Sequence, residues 1–392
     1  MVYGAGNIGR GFIGQIFSQS GYAICFIDVA DSVIEALNRE GRYPVRILGG
    51  NSSEDIRIEG VSAVDGRNKE DAAKAIAEAD IMATAVGVRI LPLVAPVIAA
   101  GLKKRFARSD NPLNIIICEN LIDADKVLGN LIKDHLDEKE RAIFDMRVGL
   151  VKASIGRMVP LQTAEMQAGN ALRICVEAYG FLPVDKAAFK GEIPSLTGMR
   201  PFDNFDFYIQ RKLFIHNMGH AVCAYLGDLR YYTFGYDFIW QAIENPHIKE
   251  ITKKAMECSA LALSKIYNVD INDLIDDIDN LLRRFENRAL GDTVKRVGND
   301  LKRKLSPNDR IVGAYKICVE HHLPVNCFCL AIAAAVNFRD DKLSGQGLDN
   351  ILKEAGSYDL LAENHEHFTL IKTFDEAIKS GSSLKDLCDM IS

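Results

Sequence analysis

The sequence has no apolar run that is long enough to cross a bilayer. Its longest apolar stretches, residues 90–102 and 327–336, are broken or shorter than the roughly 18 residues that a spanning helix needs. It also lacks a basic segment followed by an apolar one at its start, so no secretory signal is expected. With 48% hydrophobic residues and a net charge of −6, it is neither disordered nor a general binder of nucleic acid or polyanionic membranes.

Metal-binding and disulfide patterns are missing as well. No CxxC or HExxH pattern occurs, and Cys327 and Cys329, one residue apart, have no second pair to complete a zinc site. The nine cysteines are an odd number, are scattered, and mostly lie within apolar runs. They predict reduced, buried thiols in a cytoplasmic protein, and we expect no metal.

The first 160 residues alternate short apolar runs with helix-period stretches. The predicted strands are residues 22–27, 80–86, 113–118 and 148–154. The predicted helices between them are residues 29–40, 90–105 and 122–136. This alternation, with nearly continuous apolar strands, predicts a doubly wound, mostly parallel sheet that is covered on both faces.

The pattern changes after Pro160. Residues 161–200, including a strand candidate at 172–177, are predicted to form a small antiparallel or connecting region. From residue 206 the period is mostly helical, with one helix ending at Gly227 and another over 246–267. We therefore predict an α/β domain over residues 1–190 and a mostly α-helical domain over residues 191–392.

A glycine motif lies at the start of the chain. Gly4, Gly6 and Gly9 fit GxGxxG, with Asn7 and Ile8 leading into a helical stretch. The first glycine permits a tight turn, the second lets the backbone approach a pyrophosphate, and the third lets helix and strand pack closely. The helix N-terminus offers N–H groups and a positive dipole end to the phosphates. This motif predicts a Rossmann-type dinucleotide site.

An acidic residue follows at the expected spacing. Asp28 closes the strand at 22–27, about 20 residues beyond the glycines, where a carboxylate binds the adenosine ribose and repels a 2′-phosphate. We therefore expect NAD as the cofactor. The alternative is that Asp28 only caps the helix that begins near Ala30. Thr84 and Val86, at the end of the 80–86 strand, are further candidates to face the dinucleotide.

The first strand of such a fold should precede Gly4, where the sequence has only three residues. Strands are typically about five or six residues long. We expect either a very short strand or native residues before Met1, and favour the second.

Polar side chains gather in the segment from Arg211 to His220. On an α-helix, Lys212, His216, Asn217 and His220 lie within one half of the circumference, with Asn217 about 140° from Lys212. Gly219 is costly inside a helix, which indicates close approach by a backbone or a ligand.

These residue types suit carbonyl and alcohol chemistry. A desolvated lysine can act as general base, an asparagine amide can donate to an oxyanion, and a neutral histidine can position a hydroxyl. The alternative is that Lys212 is solvated and both histidines are structural; we favour it for His216 and leave it open for His220.

The spacing Lys212-x4-Asn217-x2-His220 resembles the active-site signature of the polyol-specific long-chain dehydrogenase family, also called the mannitol dehydrogenase family. Other stretches fit the same family pattern over nearly the whole chain. They are residues 4–14 (GAGNIGRGFIG), Cys118-Glu119-Asn120, residues 211–227 (RKLFIHNMGHAVCAYLG) and residues 304–310 (KLSPNDR).

The resemblance implies a zinc-independent, NAD(P)-linked enzyme with a Rossmann domain and a helical domain. It implies that Lys212 is the general acid/base, that Asn120 and Asn217 stabilise charge on the reacting oxygen, and that His220 contacts substrate. The implied reaction is reversible hydride transfer between C5 of mannitol 1-phosphate and C4 of the nicotinamide, which gives fructose 6-phosphate. Gly156 stands where the family usually has an aspartate, so an unphosphorylated polyol or a sugar acid stays an alternative substrate.

A phosphorylated substrate needs a cationic pocket. The segment 295–310 is rich in lysine and arginine, and we expect the phosphate at Arg303 and Lys304; the alternative is a solvated charged face. A further possibility is a regulator that binds NAD without turnover, which the intact Lys-Asn-His spacing disfavours. The expected partner is a small molecule, not nucleic acid or membrane, and the oligomeric state is left open.

Overall fold

The computed structural model describes residues 1–49, 54–229 and 235–391. The chain forms two compact units, Met1–Phe205 and Asp206–Ser392. No helix among the described residues is both long and apolar enough to cross a membrane.

The first unit contains eleven strands among its described residues. They are β1 (Val2–Tyr3), β2 (Ile24–Asp28), β3 (Arg42–Leu48), β4 (Glu54–Glu59), β5 (Val61–Asp65), β6 (Met82–Thr84), β7 (Leu113–Ile117), β8 (Val148–Lys152), β9 (Ile174–Glu177), β10 (Leu182–Asp185) and β11 (Met199–Phe202). Its helical segments are the π-helix Gly9–Gly14, the α-helices Gln15–Gln19, Asp31–Glu40, Lys69–Glu78, Leu91–Phe106, Ala124–Lys133, Glu138–Arg147 and Ala164–Gln167, and the 3₁₀ turns Val88–Ile90 and Lys186–Ala188.

Six strands form one parallel sheet in the order β5-β2-β1-β6-β7-β8. Its apolar strands are buried; β7, for example, is buried along its whole length. The strand order reverses between β1 and β6, and ligands of such sheets bind beyond the carboxyl ends of the strands at that point. The predicted doubly wound, parallel fold is thus confirmed.

Two smaller sheets complete the first unit. β3 pairs antiparallel with β4 and parallel with β9, and β10 pairs parallel with β11. Of the two alternatives for residues 161–200, antiparallel or connecting, the antiparallel one is wrong, because β9 pairs in parallel with β3, a strand that the sequence pattern did not reveal. Residues 191–205, assigned by the sequence to the second domain, belong to the first unit, since β11 pairs with β10.

The second unit is helical. It contains the π-helix Lys212–Asn217, the 3₁₀ turn Arg288–Leu290 and the α-helices Asp206–Arg211, Met218–Asp228, Ile239–Glu244, Pro246–Tyr267, Ile271–Phe285, Val294–Gly298, Leu301–Lys304, Val312–Glu320, Asn326–Val336, Leu348–Ala355, Tyr358–Glu363, His365–Lys379 and Leu384–Met390. The apolar helix Asn326–Val336 is buried from Cys327 onward and lies in the core of the unit.

The helix Pro246–Tyr267 shows how local sequence sets the ends of an element. The Asn245 side chain accepts hydrogen bonds from the His247 and Ile248 amides, and Pro246 occupies the first turn, where its missing N–H costs nothing. Asn268 ends the helix in a left-handed conformation with φ of 52°. The predicted range, 246–267, agrees with this element.

Candidate active site

The glycine loop follows β1, at the point where the strand order reverses. Gly4 has φ of 100°, and a Cβ there would lie 2.5 Å from the carbonyl oxygen of Ala85. A Cβ on Gly9 would lie 1.9 Å from the carbonyl oxygen of Gly4. A Cβ on Gly6 would meet nothing within 4 Å. Gly4 and Gly9 are therefore required by the loop's own packing, whereas Gly6 faces open space that suits a pyrophosphate.

The helix that follows the loop begins as a π-helix over Gly9–Gly14, where an α-helix was expected. Groups outside the helix bind the carbonyls of its first turn. The Tyr43 hydroxyl donates to the Arg10 oxygen at 2.8 Å, and Arg157 Nη1 donates to the Gly11 oxygen at 2.9 Å. Such competition for main-chain carbonyls disturbs the i→i−4 ladder and explains the wider turn.

Two buried arginines bind this segment. Arg10 donates from Nε to the Ala5 oxygen at 2.6 Å and from Nη1 to the Leu172 oxygen at 2.7 Å. Arg157 also donates to Gln15 Oε1 at 2.7 Å and lies over the Phe12 ring at 4.8 Å. Burial lowers the pKa of Arg157 to about 10. The sequence analysis did not assign a role to either residue, because the partners Leu172 of Arg10 and Gly11 of Arg157 are distant in sequence.

Asp28 lies at the carboxyl end of β2 and binds the glycine loop. Its Oδ2 accepts a hydrogen bond from the Ala5 amide at 2.6 Å, and its Oδ1 accepts from the Val29 and Ala30 amides at 2.8 and 3.0 Å. The next helix, Asp31–Glu40, has Ala30 as its N-cap with no side-chain capping bond. The capping alternative is therefore not what the structure shows, and the carboxylate belongs to the loop.

Thr84 and Val86 lie at the end of β6, where the buried Glu119 holds both of them. Thr84 Oγ1 donates to Glu119 Oε2 at 2.6 Å, and the Val86 amide donates to Glu119 Oε1 at 2.9 Å. Glu119 follows β7, and the next residue, Asn120, is exposed at that strand's carboxyl end. The candidates Gly4, Asp28, Thr84, Val86 and Asn120 thus follow or close four strands at one edge of the sheet. Glu119 is a site residue that sequence reasoning mentioned without a role.

In the second unit, Lys212–Asn217 is π-helical, so the side-chain angles predicted for an α-helix do not apply there. The Met218 amide bonds the Leu213 carbonyl, five residues back. Because an i→i+5 turn holds more residues than an α-helical turn, it brings Lys212 and Asn217 closer together around the helix axis than the about 140° of an α-helix. Both residues are half-buried, and the four between them are buried.

His216 is buried, which was the structural alternative favoured for it. Its ring centroid lies 5.9 Å from that of Phe285 and 6.4 Å from that of His220. Burial, followed by the charges of Arg284 and Lys212 and the neighbouring His220, holds the pKa of His216 well below its usual value. Because the His216 ring stays neutral, it packs against Phe285 and adds no positive charge beside Lys212.

His220 stacks on Phe285, with ring centroids 4.8 Å apart and planes at 14°. Its Nε2 is buried and lies 3.5 Å from Oδ2 of Asp292, which is also buried. Burial lowers the pKa of His220 to about 3, and nearby cations, Arg296 first among them, act in the same direction. The imidazole is therefore neutral at physiological pH.

Gly219 is explained by a neighbouring helix. A Cβ at this position would lie 2.5 Å from the sulfur of Met256, on the helix Pro246–Tyr267. The close approach inferred from the sequence is thus made by a side chain of the core, which fixes the turn that carries His220.

The two phosphate candidates have partners within their own unit. Arg303 pairs with Asp300 at 2.7 Å and with Asp309 at 3.1 Å. Lys304 is buried, and its ammonium donates to the carbonyls of Val297 and Asn299. Burial, with the charges of Arg310 and Arg303, lowers the pKa of Lys304 to about 7. Arg303 is the more accessible of the two, and a phosphate would share it with two carboxylates.

One group of possible metal ligands is found among the described residues: His247, Glu250 and Cys388, whose donor atoms lie within 4.8 Å of one another. The Lys254 ammonium lies 2.9 Å from the Glu250 carboxylate, which therefore already has a cationic partner.

Comparisons with known proteins agree with this arrangement. Residues 1–198 match the mannitol dehydrogenase Rossmann domain, and residues 204–382 match the mannitol dehydrogenase C-terminal domain. The chain therefore belongs to the mannitol dehydrogenase family and is a dehydrogenase.

Two solved structures are similar to the whole chain. Pseudomonas fluorescens mannitol 2-dehydrogenase, solved with NAD and D-mannitol, has a TM-score of 0.78 at 14% identity, covering 100% of this chain and 93% of that one. A D-sorbitol dehydrogenase in substrate-free form has a TM-score of 0.79 at 15% identity, covering 100% of this chain and 94% of that one. At 14% and 15% identity, these similarities show only that the chain has the same fold as the two structures.

Proposed function

We propose that this chain is a mannitol-1-phosphate 5-dehydrogenase, which interconverts mannitol 1-phosphate and fructose 6-phosphate. The observation that carries the proposal is a group of basic side chains in the unit that contains His220. After burial, which is the largest cause, the charges of Arg296, Lys304, Arg310 and Arg284 lower the pKa of that histidine. A neutral polyol needs no such field, whereas a phosphate dianion is stabilised by it.

The residues that hold NAD are the glycine loop and Asp28. Gly6 and Asn7 are exposed at the helix start, Gly6 leaves space for the pyrophosphate, and the carboxylate of Asp28 faces the same loop. When bound, NAD would supply the hydride acceptor for oxidation of the substrate, and NADH would supply the hydride donor for reduction.

Lys212 removes the hydroxyl proton when the polyol is oxidised and returns it when the ketose is reduced. The amides of Asn217 and Asn120 donate hydrogen bonds to the oxygen as its negative charge develops. The π-turn supports these roles of Lys212 and Asn217, because it brings the two residues towards one face of the helix. His220, which is neutral, hydrogen-bonds a neighbouring hydroxyl of the substrate.

A steady-state screen tests the substrate. NADH and NADPH oxidation are compared with fructose 6-phosphate, fructose and fructuronate, and NAD reduction is compared with mannitol 1-phosphate and mannitol. We expect turnover with fructose 6-phosphate and NADH, and at least a hundredfold lower kcat/KM for fructose. Equal or faster turnover of fructose or fructuronate would overturn the proposal.

The second candidate is a dehydrogenase of unphosphorylated polyols. The acidic partners of the cations favour it, because Asp292 binds Arg296 and Asp309 binds both Arg303 and Arg310. The names of the two similar structures, which act on mannitol and sorbitol, point in the same direction.

Arg303 gives a sharper test of the phosphate site. Arg303→Gln is expected to raise the KM for fructose 6-phosphate about tenfold or more, because one fork of charged hydrogen bonds is lost. The KM for NADH should not change. Lys302→Gln is the matched control, since Lys302 is exposed and pairs with Glu354 on the surface. Equal effects of the two variants would place the phosphate elsewhere.

A further inference from the structure

A buried carboxylate lies beside His220 and has no assigned role. Asp292 Oδ2 is 3.5 Å from His220 Nε2, and both side chains are largely buried, with relative exposures of 9% and 15%. The Nε2 atom makes no hydrogen bond of ordinary geometry to any described residue. A buried ring nitrogen that points at a carboxylate needs an explanation, because an unpaired buried donor costs about 1–3 kcal/mol.

The carboxylate is held in place from its other side. Arg296, one helical turn further along the chain, donates to Asp292 Oδ1. The main-chain carbonyl of Asp292 accepts a hydrogen bond from the Ile239 amide at 2.8 Å. One carboxylate oxygen of Asp292 is therefore hydrogen-bonded to the Arg296 guanidinium, and the other faces the His220 imidazole.

The orientation of the ring is fixed as well. The stacking of His220 on Phe285 sets the plane of the imidazole, and the packing of Gly219 on Met256 sets the helix turn beneath it. What remains undetermined by packing is which ring nitrogen carries the single proton of the neutral form. In such pairs the hydrogen bond made by one nitrogen decides the state of the other.

We propose that Asp292 is a positioning residue that holds the proton of His220 on Nε2, so that Nδ1 is left as an acceptor for a substrate hydroxyl. The inference rests on the proposed role of His220 as a substrate contact. The 3.5 Å separation is long for a hydrogen bond, but catalytic hydrogen bonds are often long before substrate binds and tighten in the complex.

The variant Asp292→Asn makes a distinctive prediction. Because Arg296 can only donate, the amide oxygen must take the place of Oδ1, and the amide NH₂ then faces His220. An NH₂ group donates to Nε2 and moves the ring proton to Nδ1, which can no longer accept from substrate. The substitution keeps the shape of the side chain and inverts the tautomer.

The tautomer is read directly by nitrogen NMR of the protein labelled at its eight histidines, with NADH bound and no substrate present. The spectrum of His220→Gln assigns the signal by its absence. We expect Nε2–H in the wild type and Nδ1–H in Asp292→Asn. An Nδ1–H wild type, or an unchanged tautomer in the variant, would overturn the inference.

Kinetics give the functional side of the test. Asp292→Asn is expected to lower kcat/KM about 10- to 100-fold for whichever substrate the screen identifies, a range typical of groups that orient a site histidine. Asp228→Asn is the matched control: Asp228 is also buried and bound by an arginine, Arg339, and pairs with no histidine among the described residues. An equal loss of kcat/KM in the control would show that Asp292 has only a structural role.

The two proposals fail separately. If the phosphorylated substrate is wrong, the screen shows it while the tautomer measurement, made without substrate, stands. If the tautomer is wrong, the substrate assignment is not affected.

Discussion

Both units contain a π-helical turn at their candidate site, but each stabilises it differently. In the first unit, Gly9–Gly14 is bound through its main-chain carbonyls by the side chains of Tyr43 and Arg157. In the second, Lys212–Asn217 is followed by a helix whose residues pack on Phe285 and Met256. The first site is therefore made mainly of backbone and the second mainly of side chains.

The difference explains which substitutions each site tolerates. A loop that presents its backbone depends on residues without side chains, so added atoms should harm it most. A surface that presents amine, amide and imidazole groups depends on the groups themselves, so removing one should harm it most. The four predictions below test this contrast, from the largest expected effect to the smallest.

Lys212→Ala should lower kcat by about 10³-fold, because the only proposed general base is removed and such groups contribute about 10²–10⁴-fold. NADH binding, measured by calorimetry, should survive, since the nucleotide loop is in the other unit. Lys265→Ala, an exposed lysine of the same unit, is the control and should have normal turnover. A near-normal kcat in Lys212→Ala would show that Lys212 is not the general base.

Gly9→Ala and Gly6→Ala should separate packing from ligand approach in the glycine loop. The Cβ of the first would lie 1.9 Å from the Gly4 oxygen, a backbone atom, so we expect the free energy of unfolding to fall by about 2 kcal/mol or more. The Cβ of the second meets nothing within 4 Å, so stability should hold while the affinity for NADH falls. Chemical denaturation and calorimetry measure the two effects.

If Gly6→Ala were as destabilising as Gly9→Ala, or bound NADH normally, the open space at Gly6 would not be the pyrophosphate site.

Arg157→Met should lower the free energy of unfolding by about 2–3 kcal/mol, because the Gly11 carbonyl and the Gln15 side chain lose a buried donor. Arg108→Met, at an exposed arginine, should change stability by less than about 0.5 kcal/mol. Denaturant unfolding of both variants checks this, and equal midpoints would show that the π-turn does not need its arginine.

The pH dependence of stability should reveal the buried His220. Its pKa is about 3 in the folded protein and near 6.5 when unfolded, so between these values the unfolded chain binds more protons. The stability linked to a neutral His220 is fully present above pH 6.5. As the pH falls towards 3, the free energy of unfolding decreases by up to about 1.4 kcal/mol per pH unit. His220→Gln should flatten this slope.

The exposed His135 provides the control, because His135→Gln should leave the slope unchanged. Identical slopes for wild type and His220→Gln would mean that the imidazole titrates normally in the folded protein.

Sequence reasoning was most successful where local rules apply. The parallel sheet and the helix Pro246–Tyr267 follow from apolar periodicity and from cap residues. It failed for β3, whose sequence RYPVRIL mixes charges with Pro44. The strand candidate at 172–177 corresponds to β9, but its parallel pairing with β3 was missed, since pairing over more than a hundred residues has no local pattern.

The sites show the same division. The amino-acid sequence alone determined that Gly4, Gly6, Gly9 and Asp28 form a dinucleotide motif, because the spacing of glycines along a turn is a local property of the backbone. It also determined which amine, amide and imidazole groups are present in the segment from Lys212 to His220. Only the tertiary structure decided that this segment winds as a π-turn, that His220 faces Asp292, and that Arg157 holds the Gly9–Gly14 helix. These features depend on atoms brought together from distant parts of the chain, and their geometry depends on packing that no local pattern encodes.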